Sequence, residues 1–150
     1  MTSSNKPSIE IPGHLLASSR PGYDSGRNHP VSRDAVESWI NVAREAGAAS
    51  ILCLLDERHL VLYEEALPGG LLAHYEQSGF DVGHLPIRDH EWPPVTEDEL
   101  RQAQAWFEKL PKPVLVHCSA GQDRTGAVVE HLCALHGNQA KPSTDTLASR

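Results

Sequence analysis

The sequence predicts an α/β domain with a parallel-rich central sheet of four to five strands and helices on both faces. Three observations predict it. Short apolar runs rich in β-branched residues alternate with segments of helical periodicity, the pattern of strand–helix–strand units. A length of 150 residues suits one core rather than two. A hydrophobic fraction of 39% argues against disorder through the whole chain.

The elements follow in order. Residues 1–8 read as a disordered lead-in, 9–137 as the folded domain and 138–150 as an irregular tail. Residues 18–30, with Arg20-Pro21-Gly22 and Gly26, are turn-rich and read as a surface loop after a first strand. Ser32 can cap a helix on which Val36, Trp39, Ile40 and Ala43 share one face, with Gly47 as its stop. The apolar run 50–55 reads as a buried strand. Pro68-Gly69-Gly70 breaks the chain before a short helix over 71–78, closed by Gly79. Residues 80–87 alternate as a strand, and 88–94 form a loop shaped by Pro93-Pro94. Thr96 and Glu99 make a capping box for a helix carrying Leu100, Ala103, Phe107 and Leu110 at helical spacing. Residues 114–116 are a β-branched strand, and 126–135 are helical in pattern, with Gly137 after them.

Composition excludes several function classes. The balance of 13 Lys+Arg against 20 Asp+Glu, net −7, argues against a nucleic-acid partner, because neutralising a phosphate backbone needs clustered cations. The longest aliphatic run, 51–55, is too short for a membrane span. Residues 1–11 lack the apolar stretch of a signal peptide. Three cysteines cannot all pair internally, which fits a reducing compartment. The expectation is a cytoplasmic protein.

In open α/β sheets ligands bind beyond the carboxyl ends of the strands, which points to His117, Cys118, Ser119, Ala120, Gly121, Gln122, Asp123, Arg124, Thr125 and Gly126. A loop opening a helix aims backbone N–H groups into one concavity, and the helix dipole adds positive potential. Arg124 can offer a planar fork of donors to the same point. Residues 119–124 thus suit a tetrahedral dianion such as phosphate. The same donors would stabilise a thiolate at Cys118, a strong nucleophile at neutral pH. His117 is placed to orient the cysteine backbone and Thr125 to donate to the sulfur. This spacing of His-Cys, Gly and Arg would arise by chance in on the order of 10⁻⁴ of chains of this length. Glycine spacing over 121–126 is Walker-like, but Ala127 stands where a lysine is needed, so a nucleotide P-loop is rejected.

The signature His-Cys-x5-Arg-Thr resembles the phosphate-binding loop of the cysteine-dependent protein tyrosine phosphatases, particularly their small dual-specificity branch. The resemblance covers roughly residues 14–137, with the loop as its diagnostic part. It implies a phosphatase-type loop between strand and helix, a phosphocysteine intermediate, no metal or other cofactor, and an aspartate acid on an earlier loop. Asp89, 29 residues before Cys118 and followed by prolines, matches that acid; Glu91 and His90 are the substitutes. The implied substrate is a phosphorylated protein or another phosphate ester. Alternatives are a phosphoinositide or small-molecule phosphatase, or a non-catalytic phosphate-binding module. Relatives acting on phosphoinositides often carry a lysine within the loop, where this chain has Gln122.

Other residues have plainer readings. Asp123, beside a dianion site, is expected to point outward. Arg20 reads as a solvated loop arginine, with a place at the pocket rim as the alternative. Cys53 and Cys133 read as core fillers, with a protective disulfide to oxidised Cys118 as the alternative. His131 and His136 stand about 500° apart around a helix, so no metal site is expected there. The family usually continues with further helices after the signature. The short tail here raises the expectation of a partly bare sheet face and a homo-oligomer.

Overall fold

The computed structural model describes residues 6–24, 28–88 and 92–140. Five strands form one sheet in the order β1-β2-β5-β3-β4: β1 is Ser8–Ile11, β2 Leu15–Ser18, β3 Ser50–Cys53, β4 Asp81–His84 and β5 Val114–His117. Strands β2, β5, β3 and β4 run parallel, while β1 returns antiparallel along β2, so the sheet is mixed and mostly parallel. All residues of β3 and β5 are buried, as expected of central strands covered on both faces.

Alternation along the strands sorts the core into two layers. Leu15, Leu52, Leu54, Val114 and Val116 pack under α4 (Glu97–Lys109) and α5 (Asp123–Ala140), against Ala103, Phe107, Leu110, Val128 and Leu132. Leu16, Ile51, Cys53, Leu55 and Leu115 face α1 (Arg33–Glu45), α3 (Leu71–Gln77) and the buried Tyr63. The bare sheet face that prompted the homo-oligomer expectation is therefore not found: two helices cover each side, although only residues to 140 are described.

Local chemistry sets the helix starts. Ser32 accepts from the N–H of Ala35, and Thr96 and Glu99 form the reciprocal capping box. The strand expected over 80–87 is regular only to His84, but Leu85 and Ile87 still donate to the carbonyls of Cys53 and Leu54, at 3.0 and 3.2 Å.

Several expectations need correction. The lead-in ends earlier than expected, because Ser8 already belongs to β1. That strand is exposed at Ser8 and Ile9, so it lacks the apolar signature of the inner strands. A helical turn, α2 (Glu57–Leu60), runs into a 3₁₀ turn at Val61–Tyr63; each is too short to show periodicity. Helix α5 begins three residues before Gly126 and passes through Gly137 to Ala140. Glycine inside a helix costs about 1 kcal/mol relative to alanine, which the burial of Val128 and Leu132 against the sheet outweighs. Residues 138–140 of the expected irregular tail are therefore helical, and the rest of it lies outside the described residues. Among the described residues no helix is long and apolar enough to cross a membrane.

Candidate active site

Strand β5 ends at His117 and α5 begins at Asp123, so residues 118–122 form the loop between them. His117 is flanked in register by Ser18 at the end of β2 and Cys53 at the end of β3. The loop thus emerges at the carboxyl edge of the sheet centre, where parallel sheets hold ligands. Gly121 has φ 79°, and a Cβ there would lie 2.7 Å from the carbonyl oxygen of Ser18. Only glycine lets the loop close against the chain leaving β2.

Cys118, which opens this loop, and Arg124, in the first turn of α5, are 2% and 1% exposed. Arg124 Nη1 donates to the carbonyl of Ile87 at 2.8 Å and lies 3.5 Å from that of Leu54. The guanidinium is thereby aimed across the ends of β3 and β4 instead of into bulk water. Among the described residues, the backbone N–H groups of Ser119, Ala120, Gly121 and Gln122 donate to no protein acceptor. Amides left open in a tight turn at a helix start make a cradle suited to an anion. Gln122 and Asp123 are exposed, Asp123 as the outward reading expected, and Gln122 accepts from the N–H of Gly126 at 2.7 Å. Thr125 is buried, and its Oγ1 has no hydrogen-bond partner among the described residues.

His117 is fully buried behind the cysteine. Its Nδ1 lies 3.1 Å from the carbonyl oxygen of Cys118, which can only accept, so Nδ1 carries the proton. Nε2 then accepts from the Tyr75 hydroxyl at 2.8 Å. Burial pushes His117 down to about 4, with the charges of Arg20 and Arg124 acting in the same direction. The ring is neutral at physiological pH. Trp39 packs 5.4 Å from His117 and 5.5 Å from Tyr75, centroid to centroid, and closes this support.

The lowered value has a consequence for stability. Below about pH 6.5 the unfolded chain protonates this histidine while the folded chain does not, down to about 4. Its contribution is complete above that range and is lost as pH falls through it, by up to about 3 kcal/mol. Urea unfolding between pH 7 and 4 should show a shallower pH slope in His117→Gln than in the wild type; equal slopes would refute the assignment.

Two neighbours that sequence reasoning placed elsewhere belong to the site. Arg20, expected to be solvated, is 1% exposed and bonds to Ser119. Its only sequence signal is its position directly after a strand. Tyr75, which lies on no motif of the sequence, holds His117. Cys53 fills the core, and burial pushes its thiol up to about 12. Cys133 lies half-buried with its sulfur 3.9 Å from the Glu10 carbonyl, and all three cysteines are free thiols. His131 bonds to Gln104 at 3.1 Å and His136 packs on Phe107, so both pin α5 to α4. Asp89, His90 and Glu91 lie outside the described residues.

A cysteine and an arginine at either end of an amide-lined turn, set between a central parallel strand and a helix, define a phosphatase-type α/β domain. A family model described as polymorphic toxin system, DSP-PTPase phosphatase (Tc-R-P) matches residues 26–138, and the chain belongs to that family. Among solved structures, kinase associated phosphatase with its catalytic-site cysteine replaced by serine aligns with TM-score 0.66 at 16% identity, covering 96% of this chain and 81% of that one. A DUF442 protein from Shewanella putrefaciens CN-32 aligns with TM-score 0.61 at 19% identity, over 93% of this chain and 77% of that one. At these identities the likeness is one of fold. No curated protein matches the chain in sequence.

Proposed function

We propose that this phosphatase hydrolyses phosphate monoesters through a phosphocysteine, acting on phosphorylated protein with tyrosine or dual specificity. The observation that carries the reading is the pairing of buried Cys118 and Arg124 across four loop N–H groups that have no acceptor among the described residues. In the first step the Cys118 thiolate attacks phosphorus in line. The loop amides of Ser119, Ala120, Gly121, Gln122 and Asp123, with Arg124, hold the non-bridging oxygens. The bond from phosphorus to the leaving oxygen breaks, and Asp89 gives that oxygen its proton. In the second step Asp89 takes a proton from water, water attacks phosphorus, and the S–P bond breaks. The hydroxyl of Thr125 supports the departing sulfur, and neutral His117 holds the Cys118 carbonyl. Catalysis rests on positioning and preorganised electrostatics, with Cys118 as covalent nucleophile and no metal required.

The substrate class rests on the family resemblance and on Gln122 standing where a lipid-directed loop often has lysine. The description of the matching family supports a place for this phosphatase in a polymorphic toxin system, and the charge and cysteine content support a cytoplasmic site of action. Turnover of an aryl phosphate in the presence of a chelator is the primary test, and panels of phosphopeptides and phosphoinositides separate the substrate classes. Asp89→Asn is expected to lower kcat about 10²-fold or more on an alkyl phosphate, whose leaving group needs the proton, and far less on p-nitrophenyl phosphate. Equal losses on both substrates would remove Asp89 as the acid.

A further inference from the structure

Arg20 takes no part in the steps above, yet its side chain is almost completely buried. A buried guanidinium carries a large desolvation cost and ordinarily has a carboxylate beside it. Here its three acceptors are neutral oxygens. Nε donates to Ser119 Oγ at 3.1 Å, Nη1 to Tyr63 Oη at 3.1 Å and Nη2 to Asn28 Oδ1 at 3.3 Å. The Arg20 backbone N–H also donates to the Ser119 carbonyl at 2.9 Å. One residue therefore grips the first loop position after Cys118 by both backbone and side chain. The grip is itself anchored: Tyr63 Oη donates to the Pro21 carbonyl at 2.6 Å, and Trp39 Nε1 to that of Ser19 at 3.0 Å.

We propose that Arg20 is a positioning residue of the phosphate site: its fork holds Ser119 in place, and its buried charge, whose side-chain acceptors among the described residues are all neutral, raises the cradle's affinity for a phosphate dianion. The inference rests on the reading of the loop as a phosphate site and extends it to a second guanidinium behind the loop. The geometry carries the charge to the site: Arg20 bonds directly to Ser119, the residue next to Cys118.

Inorganic phosphate is the probe, titrated calorimetrically into the full chain at pH 7.5, with turnover of an aryl phosphate measured alongside. Arg20→Met keeps the length but loses charge and fork, and phosphate affinity should fall about tenfold or more. Arg20→Lys restores the charge without the fork. Affinity should then return to within about threefold of the wild type while kcat stays about tenfold down, because Ser119 is no longer held. A purely structural arginine would not separate phosphate affinity from kcat in this way. Wild-type phosphate affinity in Arg20→Met overturns the role of the charge, and wild-type kcat in Arg20→Lys overturns the positioning role. If Arg20→Met does not fold, Arg20→Lys decides alone: loss of affinity equal to its loss of kcat overturns the proposal. A wild-type chain that binds phosphate but turns over no ester overturns the phosphatase reading and leaves the affinity comparison standing.

Discussion

Cys118→Ser should lower turnover of an aryl phosphate by on the order of 10⁴-fold or more, while the affinity for inorganic phosphate stays the same or rises. Serine is close in size to cysteine, and the position is buried at the end of β5, so the loop has little reason to rearrange. A hydroxyl without a base beside it is a weak nucleophile, so the covalent step is lost. Binding survives because its donors are the loop amides and Arg124, not the sulfur. It can tighten because a neutral hydroxyl then stands where the proposed mechanism puts a thiolate against the dianion. Steady-state kinetics and phosphate calorimetry on the same preparation check both halves. Turnover within tenfold of the wild type would exclude a phosphocysteine at this position.

Arg124→Lys should cost about 10²–10³-fold in kcat/KM, the scale of losing one preorganised donor to a developing charge. On the reading proposed here the guanidinium serves two directions at once: Nη1 is held by the Ile87 carbonyl at 2.8 Å, and the rest of the planar fork is left to grip a bound phosphate. A lysine ammonium is a point donor that can reach one of these and not both. Arg124→Ala removes the donor altogether and leaves the Ile87 carbonyl without this bond, so it should also destabilise the fold by about 1–3 kcal/mol. Kinetics together with urea unfolding separate the effects. A lysine variant with wild-type kcat/KM would show that the fork is not needed.

Much of this molecule can be read from neighbours in the chain. Helices α1 and α4 are legible because a cap and an apolar stripe are local properties: Ser32 with Ala35, and Thr96 with Glu99, lie three residues apart. The candidate site loop is legible for the same reason, since cysteine, amides and arginine occupy one uninterrupted stretch from Cys118 to Arg124. The short elements are not legible. α2 offers a single turn, and β1 pairs on one side only with half-exposed residues, so neither imprints a period on the sequence. The end of α5 lies beyond the expected stop because Gly137 ends a helix only where packing does not carry it further.

The sequence alone determined the α/β class and the order of the main strands and helices, and it singled out the Cys118–Arg124 loop as the candidate centre. Tertiary structure decided what surrounds that loop. Arg20 meets Ser119 across 99 positions, and Tyr75 meets His117 across 42. Whether a polar side chain is solvated or buried against such a partner depends on which strands lie side by side. Pairing between distant segments is set by the packing of the whole core, which no local pattern encodes.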